Sequence, residues 1–354
     1  MFMIANRTHT RRVNTPTQES RSRSGGPVSR PSSTFLLVVI LSILVAGTAF
    51  LYPREAEPTG VVPNRAPATV PRSQDPPRVN RDRLIRDLSV LAHDSMEGRL
   101  SGTAGNERAR RFIISEFQDR GVAPLLGTRT QSFPVPGASQ PLTGMNVFGA
   151  VEGREAGDRY IVVSAHYDHL GLQAGSVYNG ADDNASGTAA LLAIASYFLE
   201  HPPRHSLLLV AFDAEERGLV GARAFISDPP VPLSSVVLNV NLDMVSRSEA
   251  GELYAAGTHH YPSLVPLVEE AASRAEISLL IGHDAPTLPS GDDWTYLSDH
   301  GAFHEANIPF LYFGVEDHPD YHRTSDTFDK VDPDFYLRAV ETILDFIRVA
   351  DREL

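Results

Sequence analysis

The chain has 354 residues, 31 Lys and Arg against 44 Asp and Glu, and a formal net charge of −13. That acidity argues against nucleic acid as a partner. It has no cysteine, which excludes disulfides and thiolate metal sites and leaves His, Asp and Glu as donors for any metal.

Residues 1–34 carry six Arg against one Glu and read as a disordered basic arm. Residues 35–52 are uncharged; at 1.5 Å per residue they reach about 27 Å, close to a bilayer's hydrocarbon core. The arginines precede this run, so the positive-inside rule puts the N-terminus in the cytoplasm and everything after the run outside. The expectation is a single-pass membrane protein with a signal-anchor helix. Signal-peptide cleavage near Ala46–Ala49, followed by secretion, is the alternative. Residues 53–80 hold seven prolines and form a semi-extended linker. Residues 81–354 suffice for one large single-core domain.

Within that domain Leu84, Ile85, Leu88 and Leu91 recur at helical spacing over 83–92. Residues 106–120 read as a helix ended by Gly121. Strands are expected over 146–150, 160–165, 207–212, 236–242 and 309–313. Helices are expected over 188–200, 220–226, 263–275, 294–306 and 334–352. Apolar strands alternating with helices indicate an α/β fold: a three-layer sandwich around a largely parallel, mixed central sheet.

Polar residues follow these strands. His166 comes straight after 160–165, with Asp168 two residues on, the pattern of a metal ligand and its orienting carboxylate; for this triplet alone a surface His near a turn is the commoner case, since His is frequent at strand ends. Gly180–Gly187 sets Asp182 and Asp183 between glycines before a helix. An N-cap explains Asn184 or Ser186, whereas a carboxylate bridging two metals explains the paired acids, the glycines letting the backbone bend close. Glu215 and Glu216 stand side by side after 207–212. They either begin a solvated helix or share a crevice where their repulsion needs a positive partner such as a metal ion. Asp243 ends 236–242, and His318 and His322 lie in the loop after 309–313; each alone is also an ordinary loop residue. In a parallel sheet these ends converge on one edge. A nitrogen and oxygen donor set without sulfur suits Zn²⁺, with Mn²⁺ or Co²⁺ as alternatives.

The motifs Ala165-His-Tyr-Asp168, Gly180-Ala-Asp-Asp-Asn-Ala-Ser-Gly187, Phe212-Asp-Ala-Glu-Glu216, Asn241-Leu-Asp243, Ser298-Asp-His300 and Tyr321-His322 occur in order. In them the chain resembles the co-catalytic two-zinc aminopeptidase family, the metalloexopeptidases of the bacterial leucyl aminopeptidase and aminopeptidase Y type. The resemblance covers about residues 84–345, with a lead-in carrying Glu97-Gly98-Arg99. It implies a zinc exopeptidase (phosphorylase/hydrolase-like) architecture, two zinc ions per chain and peptide substrates. Carried over by position, Asp182 bridges the zincs, His166 and Asp243 complete one, and Glu216 and His322 complete the other. Asp168 stands behind His166, and Glu215 is the general base. The peptide bond after the bridging Asp is expected to be cis, here Asp182–Asp183. Tyr296, Asp299 and His300 fall in the segment that lines the substrate pocket in relatives. The implied function is a membrane-anchored aminopeptidase. A glutaminyl-cyclase-like or other amidohydrolase and a noncatalytic receptor-like module are the alternatives.

Overall fold

The computed structural model describes residues 78–137, 140–289 and 291–354. The basic arm, the apolar run 35–52 and residues 53–77 of the linker lie outside them. Among the described residues no helix is long and apolar enough to cross a membrane.

Among the described residues ten strands form: β1 (Thr130–Val135), β2 (Leu142–Val151), β3 (Ala156–His166), β4 (Gly171–Gln173), β5 (Ser176–Tyr178), β6 (His205–Phe212), β7 (Val236–Leu242), β8 (Glu252–Ala256), β9 (Ser278–Ile281) and β10 (Phe310–Gly314). Eight of them make one mixed sheet in the order β1-β2-β6-β3-β7-β10-β8-β9, and β4 and β5 pair apart. Its centre, β6-β3-β7-β10, is parallel, while β1 and β2 run antiparallel at one side and β8 is antiparallel to β10. In register His166 is level with Phe212, Ser164 with Asn241, and Phe313 with Leu242. The residues that leave these four strands at their carboxyl ends therefore emerge together.

The helices are α1 (Arg81–Leu91), α2 (Ala104–Arg120), α3 (Gly187–Glu200), α4 (Val220–Ser227), α5 (Val265–Ala272), α6 (His300–Glu305) and α7 (Pro333–Glu353). Alternate residues of the central strands enter separate cores. Ile161, Val163, Leu207 and Leu209 join Leu88, Ile113, Leu191 and Phe346 from α1, α2, α3 and α7. Val162, Leu208, Val210 and Phe212 join Phe225 and Phe303 from α4 and α6. Both faces of the sheet are thus covered, which is why β6 is buried along its whole length and reads in sequence as an unbroken apolar run.

Three expectations differ from the structure. Of the helix expected over 294–306 only His300–Glu305 forms. Thr295 instead spends its amide and hydroxyl on the Asp293 carboxylate (3.1 and 2.5 Å), and the Trp294 amide donates to the His283 carbonyl (2.7 Å); such bonds compete with a helical turn. Residues 263–275 divide into a 3-10 turn and the eight-residue α5. Strands β1, β8 and β9 had no clear sequence signal; β1 and β9 are the sheet's edges and partly exposed, so their apolar alternation is weak.

Candidate metal centre

The site is built where the four parallel strands end. His166, at the end of β3, is 1% exposed. Its Nε2 lies 3.2 Å from Asp243 Oδ1, just past β7, and 3.4 Å from Asp183 Oδ1. The other Asp183 oxygen, Oδ2, lies 3.0 Å from His322 Nε2, which is 3.4 Å from Glu216 Oε2. Donors about 2.0–2.1 Å from a tetrahedral zinc stand about 3.3 Å apart. Those four separations lie near that edge, so His166, Asp183 and Asp243 could hold a metal ion, while Asp183 and Glu216 form a further candidate group with His169 on one side and His322 on the other.

The resemblance assigns the bridging position to Asp182, but in the structure it is Asp183 whose carboxylate lies between His166 and His322. Asp182 faces the other way. Its Oδ1 accepts from the Ser246 amide and hydroxyl (2.7 Å each), and its Oδ2 pairs with His318 Nε2 at 3.1 Å. The cis peptide is correspondingly Asp183–Asn184 and not Asp182–Asp183. Neighbouring side chains leave the backbone in different directions, and composition alone does not say which of two consecutive acids turns inward. The amides of both aspartates donate to the Asp326 carboxylate (3.0–3.1 Å), which ties this turn to the loop carrying His322. Gly180 begins the turn with φ +57, and a Cβ there would lie 2.0 Å from the Asp183 carbonyl oxygen. No other residue type fits that conformation and that contact together.

Asp168 stands behind His166, meeting its ring more closely through the backbone than through the carboxylate. Its carboxylate is 3.8 Å from His166 Nδ1, whose nearer partner is the Asp168 carbonyl at 3.2 Å. The carboxylate instead accepts the Glu215 amide at 3.0 Å. Ala214 at φ +61 turns the chain out of β6, and this bond fixes the start of the Glu215–Glu216 turn.

The electrostatics call for a cation. Burial pushes the Glu215 carboxyl well above its ordinary value, and Asp299, Asp243 and Glu216 add to that against the pull of His166. Burial likewise raises Glu216. Burial alone would lower His166, but Asp243, Glu215 and Asp183 outweigh it and raise the imidazole well above its usual range. Asp299 is fully buried, with neither oxygen hydrogen-bonded among the described residues, and burial carries it to about 7. So many carboxylates facing one buried space are compatible with a tightly bound divalent metal.

A cleft of about 70 Å³ opens onto His166, Asp183, Glu215, Glu216, Asp243 and His322, walled by Met244, Trp294, Leu297, Tyr312, Val315 and Tyr321. The segment expected to line it does so through residues other than those named from sequence. Tyr296 is 53% exposed and leans on His304. His300 is buried, its Nε2 bonded to the Trp294 carbonyl (2.8 Å) and burial holding it near 3, so it backs the cleft wall. Asp299 sits beside Ser298, whose hydroxyl accepts from Asn241 Nδ2 at 2.9 Å. Two further residues belong to the site. His169 closes the His-Tyr-Asp-His run and lies against Glu216. Arg99 is a fully buried Arg whose guanidinium reaches the carbonyls of both metal-site loops.

An α/β sheet with an imidazole and carboxylate cluster at the carboxyl ends of its parallel strands is the build of a metal-centred hydrolase. The chain belongs to peptidase family M28, whose profile matches residues 146–347. Aminopeptidase YwaD of Bacillus subtilis is 32% identical over 201 residues, covering 53% of this chain and 41% of that protein. A probable zinc metalloprotease of Pyrenophora teres f. teres is 26% identical over 238 residues, covering 60% of this chain and 50% of that protein. The chain therefore spans half or less of the length of these curated relatives. Among solved structures, the zinc aminopeptidase BSAP from Bacillus subtilis superposes with TM-score 0.64 at 18% identity, over 77% of this chain and 95% of that one. A Bacteroides thetaiotaomicron glutaminyl cyclase gives 0.62 at 18% identity, over 77% and 99%. At such identities the likeness is one of fold.

The assignment of Asp183 is checked by elemental analysis. Asp183→Asn is expected to lose most bound zinc, whereas Asp182→Asn keeps it, because only Asp183 faces the imidazoles of the candidate metal groups. The reverse result would restore Asp182 to the bridging place.

Proposed function

We propose that the chain is an aminopeptidase holding two zinc ions, one at His166, Asp183 and Asp243 and one at Asp183, Glu216 and His322. The observation that carries this reading is Asp183, whose two oxygens face two different imidazoles. Zinc bound there supplies the Lewis acidity that peptide hydrolysis needs at neutral pH. Glu215, lining the cleft with its amide fixed by Asp168, takes a proton from the attacking water and returns it to the departing amine nitrogen. Met244, Trp294, Leu297 and Val315 suit an apolar first side chain, and Trp294 is held in the wall by stacking on His283 at 3.8 Å. The excess of carboxylates suits the free ammonium of a peptide's first residue.

The test is a panel of aminoacyl anilides with free and blocked amines, run with and without chelator. Free-amine substrates with apolar side chains should be cleaved, chelator should abolish cleavage and zinc should restore it. Cleavage of blocked substrates alone would sink the aminopeptidase reading. Cyclisation of an N-terminal glutaminyl peptide without hydrolysis would favour the cyclase alternative, and zinc binding with no turnover of either would favour a noncatalytic module.

Residues 35–52 are proposed to anchor the domain outside the cytoplasm. The full chain should pellet with membranes and a chain lacking residues 1–80 should not; equal partitioning of the two would remove the anchor.

A further inference from the structure

His169 lies three residues past His166 with its side chain wholly buried. Its Nδ1 is 2.7 Å from Glu216 Oε1 and 3.6 Å from Asp183 Oδ2. It thus has the company of a third imidazole ligand, but its spacing is different. Two donors on one tetrahedral zinc stand about 3.3 Å apart, and 2.7 Å is the length of a charge-assisted N–H···O⁻ bond. The ring's other nitrogen supports the same assignment. Nε2 is buried with no hydrogen-bond partner among the described residues. A proton on Nε2 would make it an orphaned buried donor, which folded proteins rarely contain, whereas an unpaired lone pair is tolerated more often. The proton therefore belongs on Nδ1, where Glu216 accepts it. One edge of the ring also packs closely on the turn: a Cβ on Gly180 would come within 2.5 Å of its Cδ2, so only glycine leaves room for the imidazole there.

We infer that His169 is a positioning residue: its Nδ1–H holds Glu216 Oε1 and leaves Oε2 to face His322 and the metal. This rests on the zinc reading proposed above. It makes Glu216 a one-oxygen ligand of fixed rotamer, and ligating carboxylates and imidazoles held in this way bind metal more tightly.

The experiment uses the full chain with His169→Asn, His169→Gln and His169→Leu. An Asn amide nitrogen stands near the place of Nδ1 and a Gln amide nitrogen near that of Nε2. Zinc affinity is read by competition with a chromogenic chelator, and the Co²⁺-substituted visible spectrum reports the ligand set. Leu and Gln are expected to weaken zinc binding about 10–100-fold, with Asn close to wild type and its Co²⁺ spectrum unchanged. If Leu fails to fold, as seen in the thermal melt of the metal-free chain, the Asn and Gln pair carries the comparison. Wild-type affinity in Leu, equal loss in Asn and Gln, or a Co²⁺ spectrum that loses a nitrogen ligand in Asn overturns the role. A wild-type chain that binds no zinc at all overturns the reading of the site itself, and with it this role.

Discussion

Glu215→Gln is expected to keep its zinc and lose about 10²–10⁴ in kcat, the usual share of a general acid-base group, or about 2.7–5.4 kcal/mol of barrier. Gln has the shape of Glu and leaves intact the amide bond to Asp168 at 3.0 Å, so the turn that presents Glu216 stays in place. None of the separations that mark out the metal donors involves Glu215. The change removes only a proton acceptor at the cleft. KM should move little, because an interaction used in the transition state alone appears in kcat. The metal-free protein should melt no lower than wild type, since the variant loses a buried charge that Asp299, Asp243 and Glu216 repel. Steady-state kinetics with zinc analysis on the same sample decides it. Wild-type kcat would end the general-base role, and loss of zinc would make Glu215 a ligand.

The central strands and the general place of the site were legible because both follow from strong local signals. β3, β6, β7 and β10 are apolar runs that end at or shortly before His166, Glu215, Asp243 and the His322 loop, and a parallel sheet brings such ends together. What the sequence left open turned on directions within a turn. Asp182 and Asp183 have the same chemistry, and only the fold of the Ala181–Ser186 turn sends one to His322 and the other to Ser246. Asp168 stands two residues after His166, a spacing that suits orienting the ring, yet its carboxylate meets the Glu215 amide across a neighbouring strand. Such pairings depend on register between distant segments, which periodicity does not encode. Tyr296 misses the cleft lining because the expected helix is absent where it lies, and His300, which does begin α6, misses it because its ring turns to the Trp294 carbonyl.

Arg99→Met is expected to destabilise the fold by about 3–5 kcal/mol, the range for removing one partner from a buried charged network. The guanidinium is 0% exposed. It donates to the carbonyls of Leu91 (2.7 Å), Tyr167 (2.9 Å), Asn179 (2.5 Å) and Gly180 (2.8 Å), so one planar fork joins α1 to the loops bearing His166 and Asp183. The path to this buried position explains the motif around it. Glu97, Gly98 and Arg99 all have positive φ, and a Cβ on Gly98 would lie 2.3 Å from the Tyr178 carbonyl oxygen. Burial lowers the Arg99 pKa to about 10 while Asp183, Asp326, Asp168 and Glu216 oppose that fall, so it stays charged at neutral pH beneath the acidic cluster. Each buried carbonyl left unpaired costs about 1–3 kcal/mol; removal of a buried cation returns part of that, which keeps the net figure below the sum. Arg99→Lys separates charge from geometry, because an ammonium keeps the charge but cannot span the fork; it should fall between wild type and Met. Urea unfolding of the metal-free and zinc-bound chains measures both variants, and Met within about 1 kcal/mol of wild type would show that the carbonyls find other donors. A larger loss in the zinc-bound chain than in the metal-free one is the further expectation. Zinc stabilises the native state only as far as its ligands are already held in place, and the guanidinium is what fixes the two ligand-bearing loops against each other.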